Sequence, residues 1–268
     1  MTGIPDRAGY ALVTGGGARL GSHMVRRLAA DGWAVAIHYR SSSKEADTLA
    51  AEIKAGGGRA VTLGADLGAL DDFSDMFGRA NAGWGFCSLL VNSASTFEYD
   101  DIATISRANL DKLFAVNLHA PMLLARDFAG QLREGSGGLI VNVLDQKVFN
   151  LNPDFLSYTL TKSALEAATR LLAQAMAPRV RVCGIAPGLT LRSGDQTEEG
   201  FKAAHANTPL GFGSEPEHIA EALAFLTKVP SITGTTIIVD GGQHLEARSH
   251  DVMFSYGIAP DAPVGRKR

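Results

Sequence analysis

The sequence predicts an α/β fold: a single domain on a doubly wound parallel sheet of about seven strands, with helices on both faces. Three observations lead there. Short β-branched runs alternate with longer segments of helical period, which is the pattern of parallel βαβ units. A Gly-rich turn joins the first of these runs to the first helix, and no stretch rich in Pro, Ser or charge divides the chain. The 268 residues, 46% of them hydrophobic, are enough to bury one large core.

The elements follow in order. Residues 10–14 read as the first strand and 19–30 as the first helix. Residues 33–39 are the second strand, 44–55 the second helix and 60–63 the third strand, with the chain turning at Asp66. A helix near 71–79 leads to a strand at 88–92, then to a long helix within 107–133 and a strand at 138–144. Helix 155–176, strand 180–185, helix 216–228 and strand 235–239 complete the pattern. Residues 190–209 are polar and poorly patterned, and they follow a strand end at the edge where open α/β sheets bind ligands. They are expected to form a mobile lid.

A net charge of -3 gives no electrostatic reason for nucleic acid or an anionic membrane as partner. No apolar run approaches the ~18 residues of a bilayer span, and residues 1–10 lack a basic stretch followed by an apolar core. The expectation is a soluble, unprocessed, cytoplasmic protein. Cys87 and Cys183 lie in or beside strand-like apolar runs and read as buried thiols. The histidines, among them His38, His119, His205, His218 and His244, show no metal-ligand spacing and are expected to be structural or superficial, so no metal is expected.

The chemistry starts at Thr14-Gly15-Gly16-Gly17-Ala18-Arg19-Leu20-Gly21, between a strand and a helix. Small residues there let backbone approach a pyrophosphate, and the helix N-terminus offers unpaired N–H groups. The strict G-x-G-x-x-G spacing fails, because Leu20 holds the third position. A dinucleotide site for NAD ends its second strand with Asp or Glu, which accepts from a ribose 2′-hydroxyl. Here the strand ends Tyr39-Arg40-Ser41-Ser42, and Arg19 in the first turn adds a second cation. Two guanidiniums at those places predict recognition of a 2′-phosphate, hence NADPH over NADH.

Tyr158 and Lys162 stand at i and i+4 on one helix face. A phenol is a poor acid or base at neutral pH unless its anion is stabilised, and Lys162 would supply the cation. Asn117 sits inside the apolar stretch Leu113 to Leu118 and must find partners there. Asp145 stands just past the carboxyl end of the strand 139–144, where a turn role and a catalytic one are both open.

With those residues in view, the chain resembles the short-chain dehydrogenase/reductase family over about residues 10–245. The motifs are Thr14-Gly15 to Gly21, Asn92-Ser93-Ala94, Asn117, Tyr158/Lys162, Pro187-Gly188 and Asp240-Gly241-Gly242. The resemblance implies that Tyr158 donates or accepts the proton, that Lys162 binds the nicotinamide ribose and lowers the tyrosine pKa, and that Asn117 orders a relay water. It places Asp66 with Leu67, and Asn92 to Ala94, beside adenine and ribose, and Pro187, Gly188 and Thr190 beside the carboxamide. It also implies a homotetramer. Arg19 replaces the middle glycine of the family turn and Asp145 the usual serine. Both are features of the pteridine reductase branch, which the chain again resembles in His38-Tyr39-Arg40-Ser41 and Ser95-Thr96-Phe97. That likeness puts Phe97 against a pterin ring, with Ser95 near its polar edge; ordinary core packing is the other role open to Phe97.

The expected reaction is reduction of a dihydropterin to a tetrahydropterin. The alternatives are a reductase of a ketone or 3-oxoacyl substrate and a non-catalytic protein that senses NADP(H). Residues 246–268 extend beyond the last motif, and Val252-Met253-Phe254-Ser255-Tyr256 is expected to pack on the body or on a neighbouring subunit.

Overall fold

A computed structural model describes residues 9–69, 71–193 and 196–255. Seven strands form one parallel sheet: β1 (Tyr10–Thr14), β2 (Ala34–Tyr39), β3 (Arg59–Gly64), β4 (Cys87–Asn92), β5 (Gly138–Val143), β6 (Val180–Pro187) and β7 (Thr236–Val239). Their order is β3-β2-β1-β4-β5-β6-β7, so the winding reverses between β1 and β4. The carboxyl ends of those two strands open the crevice where such sheets take ligands.

Successive side chains of a strand point to opposite faces, and β1 shows it. Ala11 and Val13 face a core with α1 (Arg19–Ala30), α2 (Ser43–Ala55) and α8 (Pro216–Lys228), through Met24, Leu49 and Leu223. Tyr10 and Leu12 face the other core, with α3 (Ser74–Ala80), α5 (Ala120–Gln131) and α6 (Leu156–Met176), through Met76, Leu124 and Ala173. β1, β4, β5 and β6 are buried along their whole lengths, which explains why they read as continuous apolar runs. Each fully buried Leu or Val contributes roughly 1.5–3 kcal/mol. Both thiols are buried, and burial pushes Cys183 up to about 11 and Cys87 higher still.

Two elements differ from the expectation. The long helix within 107–133 is interrupted: α4 (Arg107–Phe114) passes through a π turn (Ala115–His119) into α5. The expected lid at 190–209 contains α7 (Glu198–Ala206), capped by the Thr197 side chain. Only two of its residues, Gly200 and Ala204, are buried, so its inward face carries almost no apolar signal.

Past β7, the chain continues through 3-10 turns at Gln243–Leu245 and Val252–Ser255. Val252 and Met253 are buried against the body, as expected for the extension; Tyr256 and the residues after it lie outside the described residues.

Candidate active site

A cleft of ≈ 420 Å³ runs along the carboxyl ends of β1, β4, β5 and β6. At one end it is lined by Gly15, Arg19, Leu20 and Gly21 of the glycine turn and by Ser93, Ala94, Ser95 and Phe97 after β4. Asp145, Tyr158 and Lys162 line its centre, and Pro187, Gly188 and Thr190 close the far side. The structure therefore gathers most of the sequence-selected residues into one cavity.

The glycine turn shows why its residues are small. Gly15 has φ +63, and a Cβ there would lie 3.0 Å from the Ala94 Cα; at Gly21 it would lie 2.1 Å from the Gly15 carbonyl. Helix α1 begins with no side-chain cap and no acid in its first turn. Its free N–H groups and positive dipole end fit an anion such as a pyrophosphate. Gly17 lies on the other side of the turn, in a hollow shared with Arg19, Arg26 and Lys44. Arg40 and Ser41 are exposed, Arg40 with no ion-pair partner among the described residues. Tyr39 packs its ring on Gly64.

Several selected residues act from behind the cleft wall. Thr14 Oγ accepts from the Ser93 and Ala94 N–H groups at 3.0 Å each, which fixes the loop after β4. Asn92 turns inward, its amide donating to Asn142 Oδ1 at 2.8 Å, so it ties β4 to β5 and does not line the cavity. Asp66 accepts from the Gly68 N–H at 3.0 Å, and Leu67 is buried in the core. Asn117 occupies the π turn, a feature common at functional sites. Its Oδ1 accepts from the Thr96 N–H at 2.8 Å and the Ser95 hydroxyl at 3.3 Å, and its amide donates to the Thr96 carbonyl and Thr161 Oγ.

At the centre, the Tyr158 hydroxyl donates to Asp145 Oδ2 at 2.9 Å, and Asp145 Oδ1 accepts from the Lys147 N–H at 2.9 Å. Lys162 Nζ donates to the Val143 carbonyl at 2.8 Å and lies 5.7 Å from the centre of the Tyr158 ring. Burial first, then the Asp145 charge and hydrogen bond, hold the Tyr158 phenol well above its ordinary value. Burial brings Lys162 down to about 8 and raises the Asp145 carboxyl. The centre is thus a phenol bonded to a carboxyl that readily takes a proton, beside a cation that readily gives one up.

Above it, the Phe97 ring meets Tyr158 edge-on at 4.7 Å and stacks on Phe155 at 4.2 Å. Phe97 is 46% exposed, so it is a ledge of the cleft and not core. Phe155 caps α6 at φ 54 and ψ 49, a left-handed conformation unusual for a bulky residue and typical of strained functional positions.

Two further contributors shape the cleft in ways that local pattern does not specify. His38 is buried; its Nδ1 accepts from the Gly15 N–H at 3.1 Å, which leaves Nε2–H to donate to the Ala65 carbonyl at 3.1 Å. It thereby holds the glycine turn against the end of β3. Lys147 and residues 251–253 also line the cleft, and nothing in the local pattern tied the chain's distant end to this place.

A family model described as enoyl-(acyl carrier protein) reductase matches residues 17–244. Pteridine reductase 1 of Leishmania tarentolae is 33% identical over 288 residues, covering 91% of this chain and 99% of that protein. The chain belongs to the short-chain dehydrogenase/reductase family. Within that family, an uncharacterized oxidoreductase of Methylorubrum extorquens is 32% identical, across 87% of this chain and 96% of its own. The crystal structure of FolM alternative dihydrofolate reductase 1 from Brucella canis, complexed with NADP, shares 42% identity. It superimposes with a TM-score of 0.84 and covers 90% of this chain and 96% of its own. As a member of the short-chain family the chain is an oxidoreductase.

Proposed function

We propose that the chain is an NADPH-dependent reductase that converts a dihydropterin to a tetrahydropterin. The observation that carries this reading is the Asp145–Tyr158 hydrogen bond of 2.9 Å beneath the exposed Phe97 ring. A planar nitrogen heterocycle fits against Phe97, and the Asp145 carboxyl beside it suits a ring nitrogen that takes up a proton. The dihydrofolate reductase and pteridine reductase relatives support the same substrate class.

When bound, the reduced nicotinamide supplies a hydride to the carbon of a C=N bond. The chain's residues do the rest. The glycine turn and the α1 N-terminus hold the pyrophosphate; Arg19, Arg40 and Ser41 hold the 2′-phosphate; Asp66, Ser93 and Ala94 border the adenosine. Pro187, Gly188 and Thr190 border the nicotinamide, and Lys162 holds its ribose. Tyr158 and Asp145 together deliver one proton to the ring nitrogen, and Asn117 keeps the Ser95–Thr96 backbone in place beside them. The same reading includes a homotetramer in the cytoplasm, in which exposed Leu160 and Leu171 of α6 would be covered by a neighbouring subunit.

Steady-state NADPH oxidation across dihydropterins, folates, ketones and 3-oxoacyl thioesters tests the reading. Turnover concentrated in the dihydropterins supports it. Turnover of ketones or thioesters with none of dihydropterins replaces it with a carbonyl reductase, and tight NADPH binding with no turnover of any class replaces it with a sensor.

A further inference from the structure

Residues 251–253 line the cleft, and half-buried polar contacts at Glu246 and Asp251 hold the segment there. Lys147 is only 2% exposed, and its Nζ donates to Asp251 Oδ2 at 2.8 Å while lying 5.3 Å from the centre of the Phe155 ring. The Asp251 N–H donates to Oδ2 of buried Asp154 at 2.8 Å, and His250 Nδ1 lies 3.4 Å from that same oxygen. Upstream, the Asn150 amide donates to the Glu246 carbonyl at 2.7 Å. Met253 packs with Phe155 and Tyr158, and Phe254 stacks on Phe155 at 6.0 Å.

An ammonium and a carboxylate taken out of water together cost several kcal/mol of desolvation each, and removing one strands the other. Apolar contacts alone would suffice to dock a tail. The charged pair instead sits where it bears on the reacting groups: Lys147 donates its own backbone N–H to Asp145 Oδ1.

We propose that Lys147 and Asp251 are positioning residues, whose ion pair fastens segment 246–254 as the outer wall of the substrate end and sets the electrostatic balance at Asp145. The substrate named in the test rests on the pterin reading; the latch itself rests on the contacts above. The ionisable groups facing Asp145 are Tyr158 and Lys162 from α6, Lys147 from the turn after β5, and Asp251 from the C-terminal segment. Burial raises the Asp145 carboxyl; beside it the Lys147 cation lowers it and the Asp251 anion raises it, so the two charges of the pair act against each other. Each single substitution leaves one uncompensated charge.

The test uses Asp251→Asn, Lys147→Met and the exchanged double variant Lys147→Asp/Asp251→Lys in the full chain. Amide hydrogen exchange in 246–254 should rise at least about tenfold in both single variants and fall back in the double variant, with NADPH Kd within about twofold throughout. With a dihydropterin substrate, the alkaline limb of kcat/KM should move to lower pH in Asp251→Asn and to higher pH in Lys147→Met. Opposite movements are not expected of a merely structural contact. Unchanged exchange in both single variants, or limbs that move the same way, overturns the proposal. If no dihydropterin is turned over, the substrate reading fails while the exchange measurement still decides the latch.

Discussion

Asp145→Ser separates the chemistry at the centre of the cleft from its architecture. The substitution removes two hydrogen bonds, from the Tyr158 hydroxyl and from the Lys147 N–H, each 2.9 Å long. At ~0.5–1.5 kcal/mol apiece they contribute about 1–3 kcal/mol. Burial acts the other way: it raises the Asp145 carboxyl above its ordinary range, so ionising it at neutral pH weighs against the fold. A carboxyl with a raised folded pKa contributes stability that is full below the unfolded value of about 3.9 and is lost as pH rises through the folded value. Near neutrality the serine therefore relieves one term while removing the other, and the net change should stay within about 2 kcal/mol, a melting shift of less than about 8 °C. Turnover should not be spared. A serine hydroxyl neither carries charge nor donates as an acid, so dihydropterin reduction should fall by about 10²–10⁴ with NADPH Kd unchanged. The assay is NADPH oxidation alongside thermal melting measured from acid to neutral pH. A serine variant that folds normally and keeps more than about a tenth of the dihydropterin rate refutes the reasoning; if it gains on neutral ketones, a carboxylate facing a developing alkoxide was the obstacle.

Three further outcomes follow from the site. Tyr158→Phe removes the donor to Asp145 and should lower kcat by about 10²–10⁴ while leaving NADPH affinity within about twofold, measured by turnover and fluorescence titration. Wild type should prefer NADPH to NADH by about 10–100-fold in kcat/KM, on the order of 1.4–3 kcal/mol, and Arg40→Asp should erase most of that preference; equal efficiency in wild type would show that the exposed arginines do not read the phosphate. Burial lowers His38, so its stabilising contribution is complete above the unfolded value of about 6.5 and is lost as pH falls toward the lower folded value. A protonated ring cannot accept the Gly15 N–H, so both melting temperature and NADPH affinity of the wild type should fall through that window, and His38→Leu should flatten the profile.

Much of this architecture was legible because each strand buried on both faces leaves an uninterrupted apolar run, and the helices between them keep their period. The cleft residues were legible where chemistry demanded a residue type: glycine where a Cβ would strike the Gly15 carbonyl, a phenol with a lysine one turn on. Legibility ended where a contact depends on distant chain. The likeness that made Lys162 the partner of the phenol could not show that its ammonium is bonded to the Val143 carbonyl. Nor could local pattern show that burial, with Asp145 opposite, dominates Tyr158. Asn92 was expected beside the adenosine together with Ser93 and Ala94; in the sheet its amide faces Asn142, while those two neighbours line the cleft. Helix α7 was hidden because glycine and alanine make its buried face.

The π turn at Ala115–His119 carries an implication for how such a site is gained and lost. A π turn is an α-helix holding one residue too many, with the surplus absorbed inside a single turn. Deleting one residue there would restore ordinary winding while α4 and α5 kept their packed faces, yet Asn117 would leave Thr96, Ser95 and Thr161. A single codon gained or lost in this turn would thus change the partners of Asn117, while Leu118 of the same turn ties it to the Leu144 and Leu165 cluster.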